Sequence, residues 1–510
     1  MSDRLASLIE RYRRHPGRGG CGVGAVVDLH RASHEVIAMA ISGLGCMEHR
    51  GGSIEDTGDG AGLLLRTDQK FFRRFITPGR RLPDGHRLVV GVLYFPPGEE
   101  SNLPAWQQEI DATLRRHGLQ PLGWRRVPTD ESALGAKARA SRRDVWQILI
   151  GEGMVPDEEL GRALYSVKHH LERWFRDLYL PSLSASTVVY KALATGDQLR
   201  RYYPDLRDPE LESDLAIFHR RYSTNTFSNW YLAQTFRLLC HNGEINTIKA
   251  NRNAVKNLES EVGRDGILMP QGSDSADLDR VIELFDVHKI PLPEALCRVM
   301  PLAFGDLPEP TPEVVRFYQG VARALGTLGA WEGPAAVVAS DGDHVVAMLD
   351  RMGLRPLRWL VTRSGRVIIG SELGAIPVAA EEIAETGQLD PGEGLAVDLK
   401  TRTLLDPRRL IREVVAHSPI NFQELAESQL VPLLPRQRAS LGGKAPKPDR
   451  RVLNLFGWSQ DRIRTVKYMA ENGKEPITSM GFDRPLGVFS PARPPLAKYF
   501  KQIVAVVTNP

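Results

Sequence analysis

The chain has only four cysteines in 510 residues, Cys21, Cys46, Cys240 and Cys297, and no Cys-x-x-Cys pair. So sparse a set excludes a disulfide framework, and it offers neither zinc nor iron–sulfur ligand spacing. A reducing, cytoplasmic setting fits best. No apolar run reaches the roughly 18 residues that a membrane-spanning helix needs. Excess charge of one sign is also missing: 66 Lys and Arg stand against 62 Asp and Glu, and the net +4 is spread along the chain. Without a basic stripe interleaved with aromatics, nucleic acid is not an expected partner. There is no repeat of about 20–50 residues and no His-Glu-x-x-His metal motif.

What is present is an ordinary globular composition, 42% hydrophobic, with 46 Gly and 35 Pro that predict many turns around a core. The length allows about three domains, or one large domain with an appendage. Apolar periodicity predicts mixed α and β structure: a helix over Glu35–Met47, strands over Ala61–Leu65 and Arg87–Phe95, and a helix from Asp157 to Tyr179. Strands follow near Thr187–Leu193 and Leu215–Tyr222. Ala335–Leu373 reads as consecutive strands, with turns at Ser340–Asp343 and Arg363–Gly365, and Gly394–Val397 with Thr403–Leu405 adds a pair. Ala439–Arg451, rich in Gly, Pro and Lys, reads as a linker. The sixty or so residues after it carry helical patterns over Ser459–Glu471 and Leu496–Val504, and the apolar stretch Tyr499–Val507 is expected to be sticky in isolation.

Four short stretches carry possible chemistry. Cys21-Gly22-Val23-Gly24 heads an apolar strand just after the flexible run Gly17–Gly20. If the basic leader 1–20 were removed, Cys21 would bring its own base. An α-amino group with a reference pKa of about 7.7–8.0 can take the thiol proton near neutral pH. The ordinary alternative is a buried strand cysteine. Arg221, at the end of a strand-like run in His219-Arg220-Arg221-Tyr222-Ser223-Thr224, can present a fork to a carboxylate, or can serve as a structural ion pair. Asn242-Gly243 is ordinarily a hairpin turn. Its alternative is an oxyanion hole, an Asn amide and a Gly N–H converging on one point. In Gly272-Ser273-Asp274-Ser275, Ser273 or Asp274 suits a helix N-cap before the helical period Leu278–Phe285, and Asp274 can instead accept from a substrate ammonium. An arginine for the carboxylate and a carboxylate for the ammonium together define an α-amino acid ligand. Thr57–Gly62 misses the phosphate-loop and dinucleotide spacings and is read as a turn into a strand. His49-Arg50 is read as complementing a helix C-terminus.

In order, Cys-Gly-Val-Gly, Arg-Tyr-Ser-Thr, His-Asn-Gly-Glu-Ile-Asn and Ser-Asp-Ser resemble the class II glutamine amidotransferases. The closer likeness is to the amidotransferase region of glutamate synthases, through His49-Arg50-Gly51, Thr57–Gly62, Leu232-Ala233-Gln234, Asp350–Pro356, Ser479-Met480-Gly481 and Val507–Pro510. The resemblance implies an α+β fold, a four-layer αββα N-terminal-nucleophile (Ntn) hydrolase sandwich with a partial C-terminal appendage. Its divisions would be a leader 1–20, an amidotransferase domain 21–438, a linker 439–451 and an incomplete central domain 452–510. Residue by residue, it makes Cys21 the nucleophile once the leader is lost, and Asn242 and Gly243 the oxyanion binders. Arg221 would hold the α-carboxylate of L-glutamine and Asp274 its α-ammonium, with Thr224 in the same substrate loop. Ser228-Asn229 and Thr235 depart from the family's more frequent Pro-Ser and Pro, which predicts a less rigid loop after Arg221.

The implied reaction is hydrolysis of glutamine to glutamate and ammonia for a synthase domain or subunit. FMN and an iron–sulfur cluster are expected on that partner, and no cofactor or metal on this chain. A non-catalytic glutamine-binding or assembly module with its leader retained, and another N-terminal-cysteine amidohydrolase, remain open alternatives.

Overall fold

A computed structural model of the chain describes residues 21–99, 101–175, 177–221, 228–262, 266–269, 271–301, 311–324, 329–418, 449–456, 458 and 460–473. Residues 21–418 belong to one compact unit, and 449–473 belong to a second.

The strand Gly22–Asp28 (GVGAVVD) is buried along its whole length, so it lacks the in/out polarity of a sheet with one wet face. Both of its faces are covered. It lies inside a seven-stranded antiparallel sheet, between Leu215–Arg220 and Arg366–Gly370; Ala61–Arg66 and Thr187–Ala192 extend one side, Arg358–Thr362 and Ile383–Gln388 the other. Because successive strand residues point to opposite faces, Val23, Ala25 and Val27 pack with Cys240, Ala336, Val338 and Ala347 of a second, five-stranded sheet. Val26 points the other way and packs with Val36, Ile37 and Leu44 of the helix His34–Cys46.

The five-stranded sheet runs Leu239–Gly243, Ala335–Ser340, His344–Leu349, Gly394–Asp398, Thr403–Leu405, all antiparallel. Its outer face, with Leu239, Val337 and Val346, is covered by Leu278 and Val281 of Asp274–Val287, Leu296 of Leu292–Val299, Phe317 of Pro312–Ala324 and Leu410 of Pro407–His417. Helix, sheet, sheet, helix: the expected four layers are present. A separate four-stranded sheet, Gln120–Arg126, Asp144–Gly151, Val89–Phe95 and Tyr179–Ser184, has its own core beneath the helices Leu103–Arg116 and Asp157–Trp174.

Several expectations shift. The helix begun at Asp157 ends at Trp174 rather than Tyr179, because Tyr179 opens a buried strand to Ser184. The strands within Ala335–Leu373 form two hairpins that go to different sheets, the first to the five-stranded and the second to the seven-stranded one. Arg450 and Arg451, at the end of the stretch read as a linker, are helical in Arg450–Leu455, and the next helix is Gln460–Asn472. Leu496–Val504 and Tyr499–Val507 lie outside the described residues. Among the described residues no helix is long and apolar enough to cross a membrane.

Candidate active site

Cys21 immediately precedes Gly22, which pairs with Arg220, so the cysteine stands at the mouth of the seven-stranded sheet beside the end of the neighbouring strand. Asn242 and Gly243 end the edge strand of the five-stranded sheet. Two separate sheets thus meet at the site. The backbone N–H of Cys21 donates to Asn242 Oδ1 at 3.3 Å. An amide whose oxygen is held this way has its Nδ2 as the end that can donate to an incoming oxygen.

The hairpin reading of Asn242-Gly243 is not what forms. The strand runs through Gly243 and leads into the helix Ile248–Val262. Gly243 has φ +126°, and a Cβ there would lie 1.7 Å from the carbonyl oxygen of Pro334. Only glycine fits, so the backbone itself can approach a ligand.

Arg221 follows the last residue of Leu215–Arg220 and has φ +112°, a conformation costly for a residue with a side chain. Three contacts hold it there. Its N–H donates to the Gly60 carbonyl at 2.8 Å, its carbonyl meets His219 Nδ1 at 3.0 Å, and its Nε donates to Asp59 Oδ2 at 3.2 Å. Asp274 is the first residue of Asp274–Val287, and Ser273 is the N-cap, its Oγ accepting from the Ala276 N–H at 3.1 Å. Asp274 Oδ2 accepts from the Ile245 N–H at 3.0 Å and Oδ1 from the Ser275 N–H at 2.7 Å. Burial opposes its charge, but nearby His241, 3.4 Å away, and these two N–H groups prevail and hold its carboxyl below the usual range. Asp274 is therefore an anion at neutral pH, at a helix N-terminus that favours one.

Burial pushes the Cys21 thiol up to about 11; the charges of Arg221 and Arg355 oppose that rise, and those of Asp59 and Asp274 add to it. Cys21, Arg221, Asp274 and the Asn242-Gly243 pair are therefore brought to one place, and Thr224 lies outside the described residues. A thiol so placed needs a base to become a nucleophile.

Sequence reading missed four contributors. His219 is fully buried, with Nδ1 facing the Arg221 carbonyl and Nε2 the His241 carbonyl, each at 3.0 Å; burial lowers its pKa to about 3, so the neutral ring, with one N–H, donates to one of the two at a time. It ties the Arg221 strand to the Asn242 strand. The Gln234 side-chain amide holds the His241 backbone at both of its polar groups, accepting from the His241 N–H at 2.8 Å and donating to its carbonyl at 3.2 Å. Arg355 bears on the thiol from the Asp350–Pro356 stretch. Asp59, in a stretch read as a plain turn, anchors Arg221. His49 and Arg50 form no helix C-terminal complement. They lie in a separate short turn, Glu48–Arg50, and both pair with Glu372.

Residues 21–423 match the family described as "Glutamine amidotransferases class-II", so the chain belongs to that family. Residues 451–510 match the "Glutamate synthase central domain". The chain is 35% identical, over 97% of its length, to ferredoxin-dependent glutamate synthase 2, chloroplastic, of Arabidopsis thaliana, of which it covers 31%. To the glutamate synthase [NADPH] large chain of Azospirillum brasilense it is 34% identical over 98% of its length, covering 34% of that protein. It thus spans about a third of the length of these curated relatives. Among solved structures it is similar to the allosteric regulatory enzyme of purine biosynthesis, at 14% identity and a TM-score of 0.35 over 74% of this chain and 47% of the other.

Proposed function

We propose that this chain hydrolyses L-glutamine to L-glutamate and ammonia, as the amidotransferase part of a glutamate synthase. The observation that carries the reading is the Cys21–Asn242 hydrogen bond, which sets a thiol beside an amide donor with Arg221 and Asp274 around them. With residues 1–20 removed, the α-amino group of Cys21 takes the thiol proton. The thiolate adds to the side-chain amide carbon of glutamine, and the oxyanion that forms meets Asn242 Nδ2 and the Gly243 N–H. The protonated amine returns its proton to the leaving nitrogen, ammonia departs, and a γ-glutamyl thioester remains. Water, deprotonated by the same amine, hydrolyses the thioester and restores the thiol. Arg221 pairs with the substrate α-carboxylate and Asp274 with the α-ammonium, and Thr224 belongs to the same substrate loop.

The ammonia would pass to 2-oxoglutarate on a synthase domain or subunit. FMN and an iron–sulfur cluster belong to that partner, and no step above is routed through either. A reducing compartment such as the cytoplasm suits four cysteines that are all unpaired. The test is ammonia and glutamate release from glutamine by protein that begins at Cys21. One-to-one products that vanish in Cys21→Ala support the reading. Turnover of other amides but not of glutamine would overturn it in favour of another N-terminal-cysteine amidohydrolase.

A further inference from the structure

Asp59 is 5% exposed and lies between two arginines. Its Oδ1 accepts from Arg220 Nη1 at 2.6 Å, and its Oδ2 accepts from Arg221 Nε at 3.2 Å and from the Gly52 N–H at 2.8 Å. The two arginines differ in exposure. Arg220 is 1% exposed and is also held by Glu48, at 2.9 Å and 3.2 Å, and by the carbonyls of Gly60 and Gly52. Its place is reserved by Gly51, where a Cβ would come within 2.1 Å of the guanidinium carbon. Arg220 is thus a fixed post. The Arg221 side chain is 28% exposed, and its contact with the buried carboxylate is made through Nε, the inner nitrogen of the guanidinium. A long, flexible side chain is thereby anchored at its base, on a backbone already set in a left-handed conformation.

We propose that Asp59 is the positioning residue for the substrate α-carboxylate. By fastening Arg221 to the fixed Arg220 it aims the guanidinium at the carboxylate, and so selects α-amino acid amides over amides that lack a carboxylate. The assignment rests on the glutaminase reading of this site. Asp59 acts on Arg221 by a direct hydrogen bond and on the thiol through its charge, so its removal should weaken substrate capture far more than it changes the chemical step.

The test compares L-glutamine with 4-aminobutanamide, which keeps the amide and the ammonium and lacks the carboxylate, on wild-type protein and Asp59→Asn. In the variant the glutamine KM should rise about tenfold to a hundredfold, with kcat within about threefold. Turnover of 4-aminobutanamide, or its inhibition constant against glutamine where turnover is too slow to read, should stay within about twofold. Asp59→Glu, which keeps the charge, should recover part of the KM. An unchanged glutamine KM, or an equal loss with both compounds as general damage would give, overturns the assignment while leaving the glutaminase intact. A wild-type protein inert toward glutamine overturns the functional reading itself, and the Asp59 role with it.

Discussion

The Cys21 N–H and the Asn242 side-chain oxygen, 3.3 Å apart, join residues 221 positions apart in sequence and two different sheets. That bond fixes which end of the amide faces outward. It also makes the oxyanion binder and the nucleophile a single unit, so disturbing one is expected to disturb the other.

Asn242→Ala should lower kcat for glutamine by about 10²- to 10³-fold with little change in KM, because the lost donor matters most when charge develops on the oxygen. Steady-state ammonia release measures both. A KM effect without a kcat effect would assign Asn242 to ground-state binding instead.

Gly243→Ala should abolish activity and destabilise the unit by about 2 kcal/mol or more, since the new Cβ meets the Pro334 carbonyl at 1.7 Å and φ is +126°. Urea unfolding reads the stability. A variant as stable as wild type would mean the strand end relaxes without cost.

The thiol raised to about 11 gives a reactivity prediction. While residues 1–20 remain attached, alkylation of Cys21 should be slow at pH 8 and rise about tenfold per pH unit toward 11, since only the thiolate reacts. Protein that begins at Cys21 should react readily at pH 7–8. Peptide-resolved mass spectrometry is needed because Cys46 is exposed and reacts in both. Equal rates in the two forms would contradict the role of the α-amino group.

His219 and His169 are held near pKa 3 and 4 by burial, below the unfolded value of about 6.5. Between those limits the unfolded chain binds more protons than the folded one. Their stability contribution is therefore intact above pH 6.5 and is lost as pH falls toward 3–4. His219→Gln should flatten that acid slope by up to about 1.4 kcal/mol per pH unit, whatever its stability at pH 7. Unfolding free energies measured in steps from pH 7 to 4 check it; an unchanged slope would place the His219 charge elsewhere.

The layers were legible because apolar runs such as Gly22–Asp28 and Ala335–Ser340 carry strand patterns in the residues themselves. Which sheet each joins depends on distant pairing, and so the two hairpins of Ala335–Leu373 looked like one continuous set. At the site, Cys21, Arg221, Asn242, Gly243 and Asp274 stood out because their chemistry is unusual for a strand head, a strand end or a helix start. Asp59 and His219 did not. An aspartate in a glycine-rich turn and a histidine inside a strand become informative only when the fold brings Arg221 and the His241 carbonyl against them. Asn242-Gly243 resembled a hairpin because that dipeptide favours positive φ, and the positive φ of Gly243 is used for a close approach to Pro334 instead.

The most direct test is the N-terminal residue of catalytically active protein, read by intact mass alongside labelling with an electrophilic glutamine analogue. A chain beginning at Cys21, with one label on that cysteine and glutaminase activity lost in proportion, is the predicted result. Full activity in protein that still carries residues 1–20 would contradict the N-terminal-nucleophile mechanism.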